Sequence, residues 1–473
     1  MRGVIIDNIK KGSELELTIE SLAYGGNGIA HVDGLAVFIE RVLPGQKVLA
    51  HIYKKKKSYA EAYPIKILEK ATNEVEPRCE YFGICGGCRI QNLDYQDQLG
   101  IKTRQVQDLI ERVGHFKDVS VPLALPSPSV FHYRNKMEFT FTPNPWRVSL
   151  EDEELTFGLG MHVPGRFDKV VNLDYCLLQK PILNDILKFT ADWALEHQWT
   201  LYNLKTHEGW ARNLMLRYGE HTHEIMVNLV TRTDDKTMTL PYKEALLNQF
   251  PQISTIVNNV TTRQAGVSTG EFEVLLHGNG LIRDKLDSFE FEISANAFFQ
   301  TNTLQAETLY EETLKVADLQ GDEIVYDLYC GTGTITLFLA AHAKTVYGIE
   351  VVKDAVVNAR ANARQQNVKN VHFLQGDLKD IFNLDDSARA IPPADVIVVD
   401  PPRAGLHPNL VKEMLLRRPK KIIYVSCNPA TLARDLELFC RESYALTSLQ
   451  PVDMFPHTNH IETVVGLVHK TIS

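Results

Sequence analysis

Apolar and polar positions alternate in short runs through the first 70 residues. Leu15-Glu16-Leu17-Thr18-Ile19-Glu20, Leu35-Ala36-Val37-Phe38-Ile39 and Lys47-Val48-Leu49-Ala50-His51-Ile52-Tyr53 are separated by the turn clusters Tyr24-Gly25-Gly26-Asn27-Gly28 and Leu43-Pro44-Gly45-Gln46. A period of two sends successive side chains to opposite faces, so the alternating runs read as half-buried strands. Five or so short strands with glycine turns predict a small OB-like β-barrel over residues 1–70. A cysteine-rich loop follows, and residues 94–113 read as a polar helix. Between about 125 and 285 the pattern is mixed. Phe131–Thr142 alternates as a strand with Arg134, Lys136, Glu138 and Thr140 on one face, Leu183–Gln198 reads as a helix, and Val257–Val260 and Phe272–Leu276 as strands. These elements predict a central α+β domain over residues 71–285, built on an antiparallel sheet. The 94–124 helix is free to pack on the C-terminal domain instead.

From about residue 290 the rhythm becomes strand–helix alternation. Glu323–Tyr329, Thr345–Glu350, Val371–Leu374, Asp395–Asp400 and Lys421–Ser426 are the predicted strands, with helices such as Asp354–Gln366 between them. Alternating units of this kind predict a parallel, doubly wound, Rossmann-like α/β domain over residues 286–473. The runs near Thr447–Val452 and Ile461–Val468 lie too close together for a helical crossover, so they predict a hairpin and an antiparallel edge.

A chain of 473 residues with 44% hydrophobic and 23% charged residues fits a multidomain soluble protein. Met1-Arg2-Gly3-Val4-Ile5-Ile6-Asp7 has no signal-peptide pattern, and no apolar run is long enough to span a membrane. The expectation is a cytoplasmic enzyme with no membrane partner. Its seven cysteines are then reduced, metal-bound or catalytic rather than paired in disulfides. The net charge of −9 argues mildly against nucleic-acid binding by the chain as a whole. Charge is local, however. Lys54-Lys55-Lys56-Lys57 and Arg417-Arg418-Pro419-Lys420-Lys421 are basic runs that fit either solvated surface or phosphate contacts. The first falls on the rim of the predicted barrel, where OB folds carry nucleic acid.

Three predicted strand tips carry chemistry. Cys427, in Ser426-Cys427-Asn428-Pro429, follows the buried run Ile422–Val425 and sits where open α/β sheets collect ligands. By itself it fits an inert thiol as well as a nucleophile. Asp400-Pro401-Pro402-Arg403 ends another strand; paired prolines stiffen a loop into a wall against which a flat ring can lie. Asp327-Leu328-Tyr329-Cys330-Gly331-Thr332-Gly333 ends a strand and opens a helix, and Glu350 at the next strand tip is placed to accept from ribose hydroxyls. Gly331-Thr332-Gly333-Thr334-Ile335-Thr336 has no third glycine, which disfavours a pyrophosphate cofactor and an NAD-type oxidoreductase and favours S-adenosylmethionine (SAM). A second cluster is Cys79-x5-Cys85-x2-Cys88, with Cys176 the best candidate for a fourth ligand. Zinc sites use paired short spacings, whereas one tight trio plus a distant cysteine fits an iron–sulfur cluster better. Cys330 and Cys440 read as structural.

With these motifs together, the chain resembles the SAM-dependent RNA 5-methyluridine methyltransferases, and in particular their 23S ribosomal RNA branch. The match spans nearly the whole chain. The N-terminal barrel looks like a TRAM domain, and Cys79, Cys85, Cys88 and Cys176 match the [4Fe–4S] ligands of that branch. Phe298-Phe299-Gln300-Thr301-Asn302 matches the family's F-x-Q-x-N segment. The resemblance assigns Gln300, Tyr329, Gly331, Gly333, Thr334, Glu350, Asp377 and Asp400 to SAM. It assigns Phe298, Gln300, Pro401 and Arg403 to the target base, Cys427 to the nucleophile, and Glu462, in His460-Ile461-Glu462-Thr463-Val464, to the general base. Tyr329 stands where phenylalanine is common, and Thr334 where some members carry asparagine. The implied reaction is addition of Cys427 to C6 of a flipped uridine in ribosomal RNA, methylation at C5, and proton removal by Glu462. The alternatives are a transfer-RNA methyltransferase of the same family and a non-catalytic iron–sulfur RNA-binding protein.

Overall fold

A computed structural model describes residues 9–147, 155–264, 269–377 and 391–470. The Met1–Asp7 stretch read for a signal lies outside them. The first six strands are β1 (Glu14–Thr18), β2 (Ser21–Leu22), β3 (Gly28–Val32), β4 (Leu35–Ile39), β5 (Lys47–Lys55) and β6 (Tyr59–Glu69). They form one sheet in the order β1-β5-β6-β4-β3-β2, packed around a core of Val37, Ile39, Val48 and Ile52. Helix α1 (Tyr95–Arg112) follows the cysteine loop, capped by Asp94, whose side chain accepts from the Gln96 amide.

The second sheet contains β7 (Lys136–Thr142), β8 (Gly158–His162), β9 (Val170–Asn172), β10 (Ala211–Tyr218), β11 (Ile225–Thr231), β12 (Ile253–Val260) and β13 (Phe272–His277). Its order is β13-β12-β11-β10-β7-β8-β9, with only the β11–β12 pair parallel. Helices α2 (Pro181–Glu196) and α3 (Lys236–Gln249) pack on it through Leu183, Leu187, Tyr242 and Leu246. Four strands here, β8 to β11, and helix α3 escaped the sequence reading; β10 was obscured because it buries Arg212, Asn213 and Arg217. These interior polar groups are tolerated because acceptors receive them: Arg212 donates to the Thr261 and Arg263 carbonyls, Arg217 to that of Ala295, and Asn213 to the Thr140 hydroxyl. The strand expected from Phe131 starts only at Lys136. His132 adopts φ +56°, which breaks the extended run.

A hairpin, β14 (Leu281–Leu286) and β15 (Phe289–Ser294), precedes helix α4 (Thr303–Ala317). Then come β16 (Ile324–Leu328), α5 (Thr334–Ala340), β17 (Thr345–Glu350), α6 (Lys353–Gln365), β18 (Val371–Gln375), β19 (Val396–Val399), α7 (Pro408–Arg417), β20 (Lys421–Ser426), α8 (Pro429–Glu442), β21 (Tyr444–Val452) and β22 (Glu462–His469). The sheet order is β18-β17-β16-β19-β20-β22-β21, parallel except for β22 and β21. Alternate strand residues enter separate cores. Val325, Val396, Val398 and Ile423 pack with the hairpin, α4, α5 and α6. Tyr326, Ile397, Val399, Ile422 and Tyr424 pack with α7, α8 and α1. The strands read as continuous apolar runs because both faces are covered.

Helix α1 thus belongs to the last sheet's core. Inside that contact Lys102 Nζ meets Asp453 Oδ1 at 2.6 Å and the Phe455 carbonyl at 3.0 Å, with both charged side chains shut off from water. Removing one partner leaves the other buried and uncompensated. Lys102→Met is expected to cost about 3–5 kcal/mol of stability in denaturant unfolding, and Lys102→Met with Asp453→Leu to recover most of it. A single variant within about 1 kcal/mol of wild type would contradict the assignment.

Candidate active site

The C-terminal ends of β16, β17, β19 and β20 open onto a cavity of about 1170 Å³. This exceeds the roughly 300–1,000 Å³ usual for one small ligand, so a cofactor and a base fit side by side. After β16, Tyr329 (φ +66°), Gly331 (φ +55°) and Gly333 (φ +82°) turn the chain into α5. Gly333 is fixed twice over: its φ is left-handed, and a Cβ would come within 2.9 Å of the Phe373 ring. Glu350 accepts from the amides of Gly331 (3.2 Å) and Val352 (2.8 Å), which holds its carboxylate at the cavity wall. A carboxylate has about four acceptor sites, so capacity remains for a ribose.

Asp327 is fully buried. Its Oδ2 accepts from Thr336 Oγ1 at 2.5 Å, and its Oδ1 has no hydrogen-bond partner among the described residues. Burial pushes this carboxyl up to about 7, helped by Asp400 and Glu350. Burial likewise pushes Asp400 up to about 7. After Asp400, the loop is tied to the neighbouring one: the Arg403 carbonyl accepts from Asn428 Nδ2 at 2.8 Å and Thr431 Oγ1 at 3.3 Å. Asn428 also caps α8, with Pro429 as the first helical residue.

The antiparallel register sets Cys427 against Glu462. Ser426 pairs with Thr463, so the next step outward brings these two side by side. Burial first, then the charges of Glu462 and Asp400, push the Cys427 thiol up to about 11, with Arg403 opposing them. Glu462 is held well above the usual carboxylate range by burial and then by Asp400, with Arg403 again opposing. Glu462, Cys427, Asp400, Pro401, Arg403, Glu350, Thr334, Gly331, Tyr329, Gln300 and Phe298 all line the cavity. Phe298 is 70% exposed at its mouth. Gly333 and Asp377 are not part of the lining, but Asp377 is close enough to Tyr329 for its charge to help burial raise the phenol.

Several lining residues were not assigned from sequence. Tyr310 bonds Thr334 (3.1 Å), Phe455 and His460 come from the β21–β22 connection, and Arg134 comes from the central region. Tyr24, from the first sheet, donates to the Cys427 carbonyl at 3.4 Å across 403 residues of sequence. No local pattern marks such a residue. Of the basic runs, Lys54 pairs with Glu61 at 2.7 Å. Lys420 and Lys421 pair with Asp395 and Asp318 at the start of β20, the end of the sheet away from Cys427.

Cys79, Cys85, Cys88 and Cys176 line a second cavity of about 220 Å³, with no acidic side chain in its wall. Gln91 bridges the loop, accepting from the Cys79 amide at 2.8 Å and donating to Cys88 Sγ at 3.5 Å, while the Gly87 amide donates to Cys85 Sγ at 3.4 Å. Among the described residues, no group of three or more His, Cys, Asp or Glu side chains as placed could hold a metal ion.

The comparisons with known proteins agree with this geometry. Residues 276–470 match the tRNA (uracil-5-)-methyltransferase family and residues 9–65 the TRAM domain. An uncharacterized RNA methyltransferase of Chlorobaculum tepidum is 44% identical over 464 residues, covering 96% of both chains. One of Bacteroides thetaiotaomicron is 38% identical, covering 94% of this chain and 99% of its own. The chain belongs to the RNA (uracil-5-)-methyltransferase family. The crystal structure of the Pyrococcus abyssi tRNA (uracil-54, C5)-methyltransferase, in complex with S-adenosyl-L-homocysteine, superposes with a TM-score of 0.76 at 29% identity, covering 96% of this chain and 99% of that one. This RNA (uracil-5-)-methyltransferase is therefore SAM-dependent, with a TRAM domain ahead of its methyltransferase fold. No helix among the described residues is long and apolar enough to cross a membrane.

The buried carboxyls give this methyltransferase a pH signature. Folded Asp327 and Asp400 keep protons up to about 7, whereas in the unfolded chain they lose them near pH 4. Their contribution to stability is thus complete below about pH 4 and is lost as pH rises through about 7. The unfolding temperature of the ligand-free protein should fall between about pH 6 and 8, and Asp327→Asn should flatten that slope. SAM, a cation at its sulfur, should raise the unfolding temperature more at the upper pH than at the lower. A level or rising wild-type profile in this window overturns the assignment.

Proposed function

We propose that the protein methylates C5 of a uridine in 23S ribosomal RNA, with Cys427 as nucleophile and Glu462 as general base. The convergence of Cys427, Glu462, Asp400 and the Asp327–Gly333 loop on one cavity carries the reading. Uracil C5 is a poor nucleophile. The Cys427 thiolate adds to C6, and the displaced C5=C6 electrons form an enolate with carbanion character at C5. SAM, when bound, supplies the electrophilic methyl group that C5 takes. Glu462 then accepts the C5 proton, the C–H electrons restore the double bond, and the C6–S bond breaks to return the thiolate. Arg403 favours the thiolate against the neighbouring carboxylates. Tyr329, Gly331, Gly333, Thr334, Glu350, Asp377 and Asp400 form the SAM side. The uridine must be flipped from its stack to reach Cys427, with Phe298 stacking on it, Gln300 reading its polar edge and Pro401 closing the wall.

Cys79, Cys85, Cys88 and Cys176 are assigned to a [4Fe–4S] cluster. Four thiols around one cavity with no carboxylate in its wall suit iron–sulfur chemistry. Methyl transfer moves no net electrons, so the group would serve as a fixed centre for the 79–88 loop. Such thiols fit a reducing cytoplasm. Purified without oxygen, the protein should be brown with iron and sulfide present. A colourless preparation containing zinc overturns this assignment.

A transfer-RNA target has one observation in its favour. The Pyrococcus abyssi enzyme acts on tRNA and matches this chain across 96% of its length, so overall architecture does not separate the two targets. The resemblance of the cysteine set supports the ribosomal one. The test uses 5-fluorouridine-substituted 23S RNA and tRNA with SAM, followed by denaturing gels. Fluorine at C5 blocks proton removal, so a covalent protein–RNA adduct should persist with 23S RNA and vanish in Cys427→Ala. An adduct with tRNA alone moves the target, and an undiminished adduct in Cys427→Ala removes the nucleophile.

A further inference from the structure

We propose that residues 453–461, the connection between β21 and β22, form a positioning device for Glu462, and that His457 is its fixed point. The proposal rests on the reading of Glu462 as the general base. Val452 and Glu462 are paired neighbours in the sheet, so the connection leaves and re-enters at the same place. An exposed loop would satisfy that geometry. Here most of the loop is buried, and it is bonded to α1, the end of the cysteine loop, the segment before β7, the α4 cap and the β2–β3 turn.

His457 is 4% exposed and holds φ +67°, an unusual conformation for a residue other than glycine. Its amide donates to Gln98 Oε1 at 2.9 Å, and Gln98 Nε2 lies 3.1 Å from its Nδ1. Its carbonyl accepts from the amides of Arg89 (2.7 Å) and Ile90 (3.2 Å), the two residues after Cys88. Its ring packs on Phe131 with centroids 4.4 Å apart. The flanking residues repeat the pattern. Tyr133 donates to the Pro456 carbonyl at 3.0 Å, Asn302 to that of Met454 at 3.0 Å, and Asn459 to that of Gly25 at 3.1 Å.

The segment is also a partition. Phe455, His460 and Glu462 line the active-site cavity, while Thr458 and His460 line the cysteine cavity. The cysteine loop therefore reaches Glu462 through one carbonyl and a short stretch of fixed backbone. A general base must stay within hydrogen-bond reach of the proton it takes, and a shift of about 1 Å costs on the order of 100-fold in rate.

This role predicts which step suffers. Cys427 addition and methylation precede the proton transfer to Glu462, so a displaced Glu462 leaves adduct formation intact and slows release. The experiment uses the whole protein, SAM and ordinary uridine-containing RNA substrate, with rapid quenching to follow the adduct and the methylated product separately. His457→Gly keeps the left-handed backbone and removes the ring. Gln98→Leu removes both bonds to His457 together with the Nε2 bond to the Leu93 carbonyl, and Gln98→Glu restores the acceptor for the His457 amide. For His457→Gly and Gln98→Leu we expect adduct formation within about twofold of wild type and release at least about tenfold slower, so adduct accumulates as in Glu462→Gln. Gln98→Glu should recover most of the release rate. Parallel slowing of both steps, or no change in either, overturns the positioning role. Failure of Glu462→Gln itself to accumulate adduct instead overturns the reading of Glu462 on which it rests.

Discussion

Lys102 and Asp453 face each other at 2.6 Å with almost no water on either side chain. Two charges taken out of water need one another, and the pair tolerates little displacement. Lys102 lies on α1, which follows directly from the cysteine loop; Asp453 begins the connection that ends at Glu462. The pair therefore fixes the separation between two loops more than 350 residues apart in sequence. Around it the other regions add their own ties: the first sheet through Gly25 and Tyr24, the central region through Tyr133 and Asn135, and the α4 cap through Asn302. Glu462 is placed by the whole chain, although its chemistry belongs to one sheet.

The electrostatics of the cavity pull against the proposed mechanism. In it, nucleophilic attack by Cys427 needs a thiolate, yet burial and the carboxylates Glu462 and Asp400 keep the Cys427 proton on. The same crowding raises Glu462, which makes it a better acceptor for a carbon-bound proton. One arrangement cannot favour both forms at once in the ligand-free state. A cationic methyl donor resolves the conflict, because a positive charge among these carboxylates lowers the cost of a further anion beside them.

The division of labour among the three sheets follows from how little the base itself reveals. A uracil ring offers the same edges wherever it occurs, so the cavity alone cannot choose among uridines. Choice must come from RNA shape and flanking contacts, read by surfaces away from Cys427. The first sheet has suitable chemistry. His51, Tyr63 and Tyr53 stack on its outer face, with centroids 5.0 and 6.2 Å apart, next to Lys54 and Lys55. In the other basic run Lys420 and Lys421 are taken up by Asp395 and Asp318 at the far end of the last sheet, so they contribute ion pairs there.

Legibility in the sequence tracked how local the physics was. The five parallel strands and the closing hairpin could be read because burial on both faces leaves apolar runs that turn chemistry punctuates. The strand tips at Asp327, Asp400 and Cys427 could be read because a strand end is where backbone turns and ligands meet. The central sheet was obscured where Arg212 and Arg217 lie buried against carbonyls that sequence cannot display. Phe131–Asn135 alternated like a strand for a different reason. Phe131 and Tyr133 are spaced to grip His457 and Pro456, and Asn135 to grip the Gln300 carbonyl and Thr303. Tyr24 and Gly26 looked like turn residues, yet Gly26 is confined because a Cβ there would fall 2.1 Å from Asn459. What remained hidden was the set of contacts that join domains around the 453–461 connection. Such contacts carry no period and no motif, because each residue answers to a partner hundreds of positions away. A site assembled from one sheet is written in that sheet's sequence; a site held by three is only partly written anywhere.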